Sequence, residues 1–218
     1  MSIASRSILH NMNWLNLIKD IVDNWRTIPD EAIVIVLLGP TGSGRSTFIN
    51  AAIGEEHCEA SGSTTRTARL SNDSPSSLDP ITKVVQRVHY KTSDRKFVFI
   101  DTPGLDLEEF APAKSALRLP NGRLVDGIIY LHRVNTPRVT TSPQTYEKVF
   151  QGLVGNEWEK KTLFATTMWK EVDNARGEDR QQKLEETYWQ QAKQRGAKVD
   201  RFLGERDDAW RLINRLTS

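Results

Sequence analysis

Apolar residues in this chain fall into short runs separated by longer amphipathic segments. Residues 32–38 are uniformly apolar and rich in β-branched side chains, as in a strand that is covered on both faces. Residues 178–195 instead carry apolar side chains at helical spacing among many charged ones. Strands that alternate with helices in this way predict an α/β fold of three layers with a mainly parallel central sheet.

The same patterns place the remaining elements. Residues 7–25 have an apolar stripe at three- and four-residue steps and predict a helix, which Pro29 ends. We expect this helix to form an extension, residues 1–30, before a single domain of residues 31–218. Its polar face mixes acids and bases, which favours docking on the domain over a membrane-surface or partner helix. Other strands are predicted at residues 81–90, 96–100, 125–131 and 162–165, and other helices at 47–53, 145–153 and 207–216.

Composition narrows the classes of protein that fit. A chain of 218 residues with 38% hydrophobic residues can bury one α/β core. The net charge of +2 gives no broad basic field, so we expect no nucleic-acid partner. The longest apolar run is far shorter than the roughly 20 residues of a membrane span, so no integral membrane segment is expected. A single cysteine, Cys58, fits a reducing compartment, and we expect a cytoplasmic protein.

A glycine-rich loop follows the first predicted strand and leads into a helix. Glycines let a backbone curl around an anion, and the start of a helix offers unpaired N–H groups and a partial positive charge. This strand–loop–helix context, with a serine near the helix start to ligate Mg²⁺, is that of a P-loop for nucleotide phosphates. The predicted phosphate-binding residues are Gly39, Pro40, Thr41, Gly42, Ser43, Gly44, Arg45, Ser46 and Thr47.

Arg45 stands where the P-loop pattern has lysine. Lysine brings a compact charge to the phosphates, whereas arginine is bulkier and binds in a fork geometry. Two outcomes stay open: binding persists at lower affinity, or the side chain swings outward. The substitution makes nucleotide binding a firmer expectation than hydrolysis.

A second motif lies at the end of the strand predicted at residues 96–100. Asp101 starts the sequence Asp-Thr-Pro-Gly, which ends at Gly104. Together with the phosphate loop, this motif resembles the G domains of translation-factor-related GTPases, close to septins and immunity-associated GTPases and to a set of uncharacterised fungal G-domain proteins. The resemblance covers residues 33–216, and the stretches 127–133 and 166–169 are similar to signatures of the fungal set.

The resemblance implies a guanine-nucleotide site that binds GTP or GDP with Mg²⁺. Ser46 and a switch threonine would ligate the metal, and Asp101 would hold it, usually through water. Thr65 is the candidate threonine, with Thr64 and Thr67 as alternatives. Asp101 and Gly104 would form the second switch. Relatives also suggest a homodimer across the nucleotide face.

The segment that reads the base departs from the common Asn/Thr-Lys-x-Asp pattern. Thr167 starts it, but Lys170 stands where an aspartate would accept hydrogen bonds from guanine. Glu171 or Asp173 would have to take that role. Trp169 either stacks on the base or fills the core below the loop.

The residues expected to act in hydrolysis are also incomplete. Leu105 occupies the place where Ras-type enzymes have a glutamine that orients water. Asp106 is an alternative, although a surface acid is its simpler interpretation. Arg133 and Arg138 are candidate arginine fingers or surface ion-pair partners, and His132 is a catalytic candidate or a packed strand end.

Three functions compete at this point. The first is a GTP-binding switch with slow or partner-dependent hydrolysis. The second is a degenerate pseudo-GTPase that serves as a binding or scaffold module, which Arg45, Leu105 and Lys170 favour. The third is an ATPase or small-molecule kinase, which only the incomplete base-reading segment favours.

Overall fold

The structure is a computed structural model that describes residues 28–54, 86–102, 123–136, 139 and 142–218. Several predictions therefore concern residues outside the described part. They are the N-terminal helix, the switch threonines Thr64, Thr65 and Thr67, Gly104, Leu105, Asp106 and Arg138. In the described ranges, no helix combines the length and the apolar character needed to cross a membrane.

The described strands form one sheet of six, in the order β2-β3-β1-β4-β5-β6. Neighbours pair in parallel throughout, except that β2 runs antiparallel to β3. The mainly parallel α/β sheet predicted from the sequence is thus confirmed. The strands are β1 Ile33–Leu38, β2 Gln86–Lys91, β3 Lys96–Asp101, β4 Gly127–Arg133, β5 Thr162–Thr167 and β6 Lys198–Arg201.

Helices cover both faces of this sheet. Alternate residues of β1 therefore belong to two different cores. Ile35 and Leu37 pack with the first and last helices described, whereas Val34 and Val36 pack with those between. This two-sided burial is why β1 reads as a continuous apolar run. The helices are α1 Arg45–Ile53, α2 Pro143–Val154, α3 Asn174–Lys183, α4 Gln190–Gln194 and α5 Arg206–Thr217.

The helix predicted over residues 178–195 is present but interrupted. α3 begins at Asn174, and a π-helical turn at Leu184–Tyr188 separates it from α4. Within this turn the Trp189 N–H donates to the Leu184 carbonyl oxygen. The two side chains are five residues apart, so a regular α-helix would point them in different directions. The π turn lets both Leu184 and the fully buried Trp189 reach the core.

Strand β6 was not predicted from the sequence. Its four residues are only half-buried and include three charged side chains, so they lack the alternation that signals a strand. The pairing with β5, from Leu163 opposite Lys198 onward, nevertheless adds it to the edge of the sheet. Main-chain hydrogen bonds to β5 define this strand, and the pattern of side chains gives no sign of them.

The topology positions the functional site. Strand β1 lies between β3 and β4. After β1 the chain forms β2 and β3 on one side of it and then crosses to form β4, β5 and β6 on the other side. In open parallel sheets, ligands bind beyond the carboxyl ends of the strands at such a point of reversal. The loop after β1, Asp101 at the end of β3 and Thr167 at the end of β5 meet there.

Candidate phosphate-binding site

The loop between β1 and α1 has a backbone that depends on glycine. Gly39, Gly42 and Gly44 have φ angles of 147°, 75° and 92°. A Cβ atom on Gly39 would lie 2.3 Å from the Leu131 carbonyl oxygen and 2.6 Å from Ser43 Oγ. The loop therefore runs so close to β4 that position 39 has no room for a side chain.

The start of α1 is formed by a glycine. Gly44 occupies the cap position in a left-handed conformation and has no side chain that could cap the helix. The first amides of a helix have no partner within it, and they carry the positive end of the helix dipole. The first turn has no acidic residue either. This arrangement is suited to an anion such as a phosphate.

Two buried threonines fix the loop to neighbouring strands. Thr167 Oγ1 donates to the Ser43 carbonyl oxygen at 2.9 Å, which joins the end of β5 to the loop. Thr102 Oγ1 donates to the Leu37 carbonyl oxygen at 2.9 Å, which joins the ends of β3 and β1. The sequence predicts Thr167 in the segment that reads the base, and the structure gives its hydroxyl a contact to the phosphate loop. The role of Thr102 was missed, and only its place within Asp-Thr-Pro-Gly signalled it.

The Arg45 side chain points into the loop and not outward, and nucleotide binding at lower affinity stays a prediction. It is 6% exposed. Nη1 donates to the carbonyl oxygens of Gly39 and Pro40, the latter at 2.8 Å, and lies 3.4 Å from Ser43 Oγ. Nε donates to the Thr102 carbonyl oxygen at 3.1 Å. The guanidinium thus joins both ends of the loop to β3.

Asp101 and Ser46 lie beside this guanidinium. Ser46 Oγ donates to Asp101 Oδ2 at 2.7 Å, and Asp101 Oδ1 is 3.4 Å from Arg45 Nε. Burial raises the pKa of Asp101, although the Ser46 hydrogen bond and the charge of Arg45 oppose the rise. Burial likewise lowers the pKa of Arg45, against the opposing charge of Asp101. The two charges compensate each other inside the protein.

The chemistry of these donors fits a magnesium ion. Mg²⁺ prefers oxygen ligands and commonly combines one or two protein groups with substrate phosphates and water. A serine hydroxyl and a carboxylate in contact supply two such groups. In the ranges described, no cluster of three His, Cys, Asp or Glu residues exists that would hold a metal without a nucleotide.

Trp169 is half-buried and contacts three neighbouring residues. Its Nε1 donates to the carbonyl oxygen and to Oγ1 of Thr166 at 3.2 and 3.1 Å. The Arg201 guanidinium lies 4.2 Å from the centre of the ring, and a Cβ on Gly177 would come within 2.8 Å of it. These contacts involve Trp169 in packing beside the loop, and its stacking on a base stays a prediction. Arg201 belongs to β6, the strand that sequence analysis missed.

Arg133 lies at the phosphate loop. Its Nη1 would be 3.3 Å from a Cβ on Gly42, and its Nε donates to Asn135 Oδ1 at 3.1 Å. Asn135 Nδ2 in turn donates to Glu171 Oε2. This chain of contacts joins the phosphate loop to the segment after β5. Lys170, by contrast, forms an exposed ion pair with Glu205 at 3.3 Å.

His132 is a buried packing residue in this structure. It is 3% exposed, and the ring meets Trp189 edge-on with centroids 6.0 Å apart. Neither ring nitrogen has a hydrogen-bond partner in the part of the chain that the structure describes. Burial, and secondarily the charge of Arg133, lowers the pKa of His132 to about 4. The imidazole is therefore neutral at neutral pH, which fits the packed strand end rather than the catalytic role.

Solved structures with the same fold include several GTPases. Toc33 from Arabidopsis thaliana in complex with Mg²⁺ and GMPPNP is 18% identical, with a TM-score of 0.53 over 87% of this chain and 78% of that one. The bacterial selenocysteine-specific elongation factor EF-Sec is 16% identical, with a TM-score of 0.53 over 85% of this chain and 28% of that one. A structure of chloroplast translocon components atToc33 and psToc159, described as showing that dimerization is important for GTPase activity, is 16% identical. Its TM-score is 0.52 over 96% of this chain and 90% of that one.

A search of curated proteins found no match. The profile of the family described as 50S ribosome-binding GTPase matches residues 34–167, which is more than half of the chain and contains the phosphate loop, Asp101 and Thr167. The chain therefore belongs to this GTPase family.

Proposed function

We propose that this protein binds GTP and GDP through residues 39–47 and acts as a slow or partner-dependent GTPase switch. The observation that carries the proposal is the start of α1. It follows Gly44, whose missing side chain leaves the capping of the first amides to another group, and a phosphate would take that role. Ser46 would give its hydroxyl to Mg²⁺, and Asp101 would hold the same ion through its carboxylate.

Preference for guanine follows from the relatives. Toc33 has been solved with GMPPNP and with GDP, each with Mg²⁺. In this chain, the Asp173 side chain accepts from the Arg176 N–H at the start of α3. Glu171 lies on the chain of contacts that begins at the phosphate loop. Of the two acids, Glu171 is therefore the better placed to accept hydrogen bonds from the base.

Calorimetric titration with GTP, GDP and ATP in the presence of Mg²⁺ tests this function. We expect both guanine nucleotides to bind, with ATP weaker by about tenfold or more, which corresponds to ~1.4 kcal/mol. Absence of binding at millimolar nucleotide would contradict the proposal. Tighter binding of ATP than GTP would support the ATPase or kinase alternative instead.

Hydrolysis is proposed to be slow in the isolated protein and faster in a homodimer that meets across the nucleotide face. Leu105 cannot orient a water molecule, so a second group has to supply that help. Arg133 brings a positive charge to the phosphate loop at the rim where a partner would bind. The description of atToc33 and psToc159 supports a link between dimerization and activity in this fold.

The rate of GTP hydrolysis per molecule, measured over about a hundredfold range of protein concentration, tests the dimer. We expect the rate to rise as sedimentation shows dimers forming, and Arg133→Ala to remove the rise. A constant rate from a protein that remains monomeric would contradict this part of the proposal. Nucleotide binding without hydrolysis at any concentration would favour the pseudo-GTPase scaffold.

Further parts of the proposal rest on the sequence. We place the chain with septin-like, immunity-associated and fungal G-domain proteins because of the two phosphate-site motifs. Residues 1–30 are proposed as a helical extension that docks on the G domain of residues 31–218. Thr65 is proposed as the switch threonine, Gly104 as the second-switch glycine, and the cytoplasm as the location of the protein.

A further inference from the structure

The ion pair between Arg45 and Asp101 involves an atom that lysine does not have. Arg45 approaches Asp101 Oδ1 through Nε, which also donates to the Thr102 carbonyl oxygen. At the corresponding point along its side chain, lysine has the Cε methylene. A lysine at position 45 would place its ammonium further out, so it would lose the N–H that faces Asp101 and Thr102.

The arginine is also fixed firmly. Its other contacts, through Nη1, are to main-chain oxygens of Gly39 and Pro40 and to the Ser43 hydroxyl. These are parts of the phosphate loop itself, so a change of the Arg45 rotamer would disturb the loop. The guanidinium consequently stays beside Asp101 as long as the loop keeps its shape.

A bound Mg²⁺ would therefore share the Asp101 carboxylate with Arg45. Asp101 Oδ2 accepts from Ser46, the other candidate ligand of Mg²⁺, and Oδ1 has no hydrogen-bond partner among the described residues except the nearby charge of Arg45. The guanidinium would repel a metal ion held by Asp101, and the metal would weaken the existing ion pair. The buried positive charge of Arg45 already compensates Asp101 without metal.

We propose that Arg45 replaces part of the role of Mg²⁺, so that nucleotide affinity in this protein depends little on the metal. This inference rests on the proposed nucleotide binding and concerns the regulation of the same site. Arg45 acts here as a positioning residue: it holds the carboxylate and the loop, and its fixed charge lies next to the phosphate-binding amides.

The test compares GDP affinity in excess Mg²⁺ and in EDTA for three proteins. For the wild type we expect a change of less than about threefold, whereas Arg45→Lys, with Asp101 released, should show a change of about tenfold or more. Arg180→Lys is the matched control, because Arg180 also donates to a main-chain oxygen, that of Val134 at 3.0 Å, but is not in contact with Asp101. It should behave as the wild type.

The outcomes separate the two proposals. A wild-type protein that binds GDP about tenfold or more tightly with Mg²⁺ contradicts this inference and leaves the proposed function standing. The inference is contradicted in the same way if the GDP affinity of Arg45→Lys changes with Mg²⁺ no more than that of the wild type. Absence of binding under both conditions contradicts the proposed function and this inference together.

The interaction between Arg45 and Asp101 can also be measured in the absence of nucleotide. Urea unfolding of Arg45→Met, Asp101→Asn and the double variant gives the coupling between the two side chains. We expect the unfolding constant of the double variant to differ by about fivefold or more from the product of the single effects. Additive effects would show that the two groups do not act on each other and would overturn the inference.

Discussion

Replacing Gly39 by alanine is expected to destabilise the protein by about 3 kcal/mol or more and to abolish nucleotide binding in whatever remains folded. The new Cβ would lie 2.3 Å from the Leu131 carbonyl oxygen, which belongs to a central strand and has no freedom to move. It would also lie 2.6 Å from Ser43 Oγ. The loop has to leave β4 to make room, and the amides at the start of α1 move with it.

Gly204→Ala is the matched control for this variant. Gly204 also has a positive φ, 107°, but a Cβ there would meet nothing within 4 Å. Alanine at this position therefore costs only the strain of a left-handed backbone, about 1 kcal/mol of stability. Urea unfolding and GDP titration of the two variants separate strain from collision. Equal stability and equal affinity for both variants would contradict the close approach of the loop to β4.

Lowering the pH from about 6.5 to 4 is expected to remove about 3 kcal/mol of stability through His132 alone. The pKa of His132 is about 4 in the folded protein and 6.5 for an ordinary histidine. Because the folded-state pKa is depressed, the unfolded chain binds a proton first as the pH falls. The part of the free energy of unfolding that depends on neutral His132 is complete above about pH 6.5, and it declines as the pH falls toward 4.

The measurement is the free energy of unfolding across this pH range for the wild type and His132→Leu. The leucine variant should lose less stability on acidification, and the difference between the two curves isolates His132 from other titrating groups. His89→Leu, at an exposed position of β2, is the control for a histidine-to-leucine change outside the core. Parallel curves for the wild type and His132→Leu would contradict the buried, unpaired imidazole.

The sequence predicts the parts of the site that depend on local chemistry. Gly39, Gly42 and Gly44 were recognised because a backbone that wraps an anion needs residues without a Cβ, and all three have positive φ angles. The strand before the loop was recognised because burial on both faces requires a continuous apolar run. These features are encoded within a few residues of one another, so a single window of the chain reveals them.

Features that depend on distant contacts were not predictable in this way. The inward orientation of Arg45 results from the Thr102 oxygen, just after β3, and from oxygens of the loop, which come together only in the folded sheet. The packing of Trp169 depends on Arg201, which lies on a short, polar edge strand without a recognisable pattern. The interruption of the helix predicted over residues 178–195 follows from the core position of Trp189. Tertiary packing decides each of these and overrides the local pattern.

The central claim is that the main-chain amides between Gly39 and Thr47 bind a polyphosphate. Amide chemical shifts of ¹⁵N-labelled protein, followed during titration with inorganic triphosphate and then with GDP, test it most directly. The account predicts saturable shifts at Gly42, Gly44, Arg45 and Ser46 with either ligand, and shifts near Glu171 only with GDP. Unchanged loop amides at saturating GDP, or shifts confined to another surface, would contradict it.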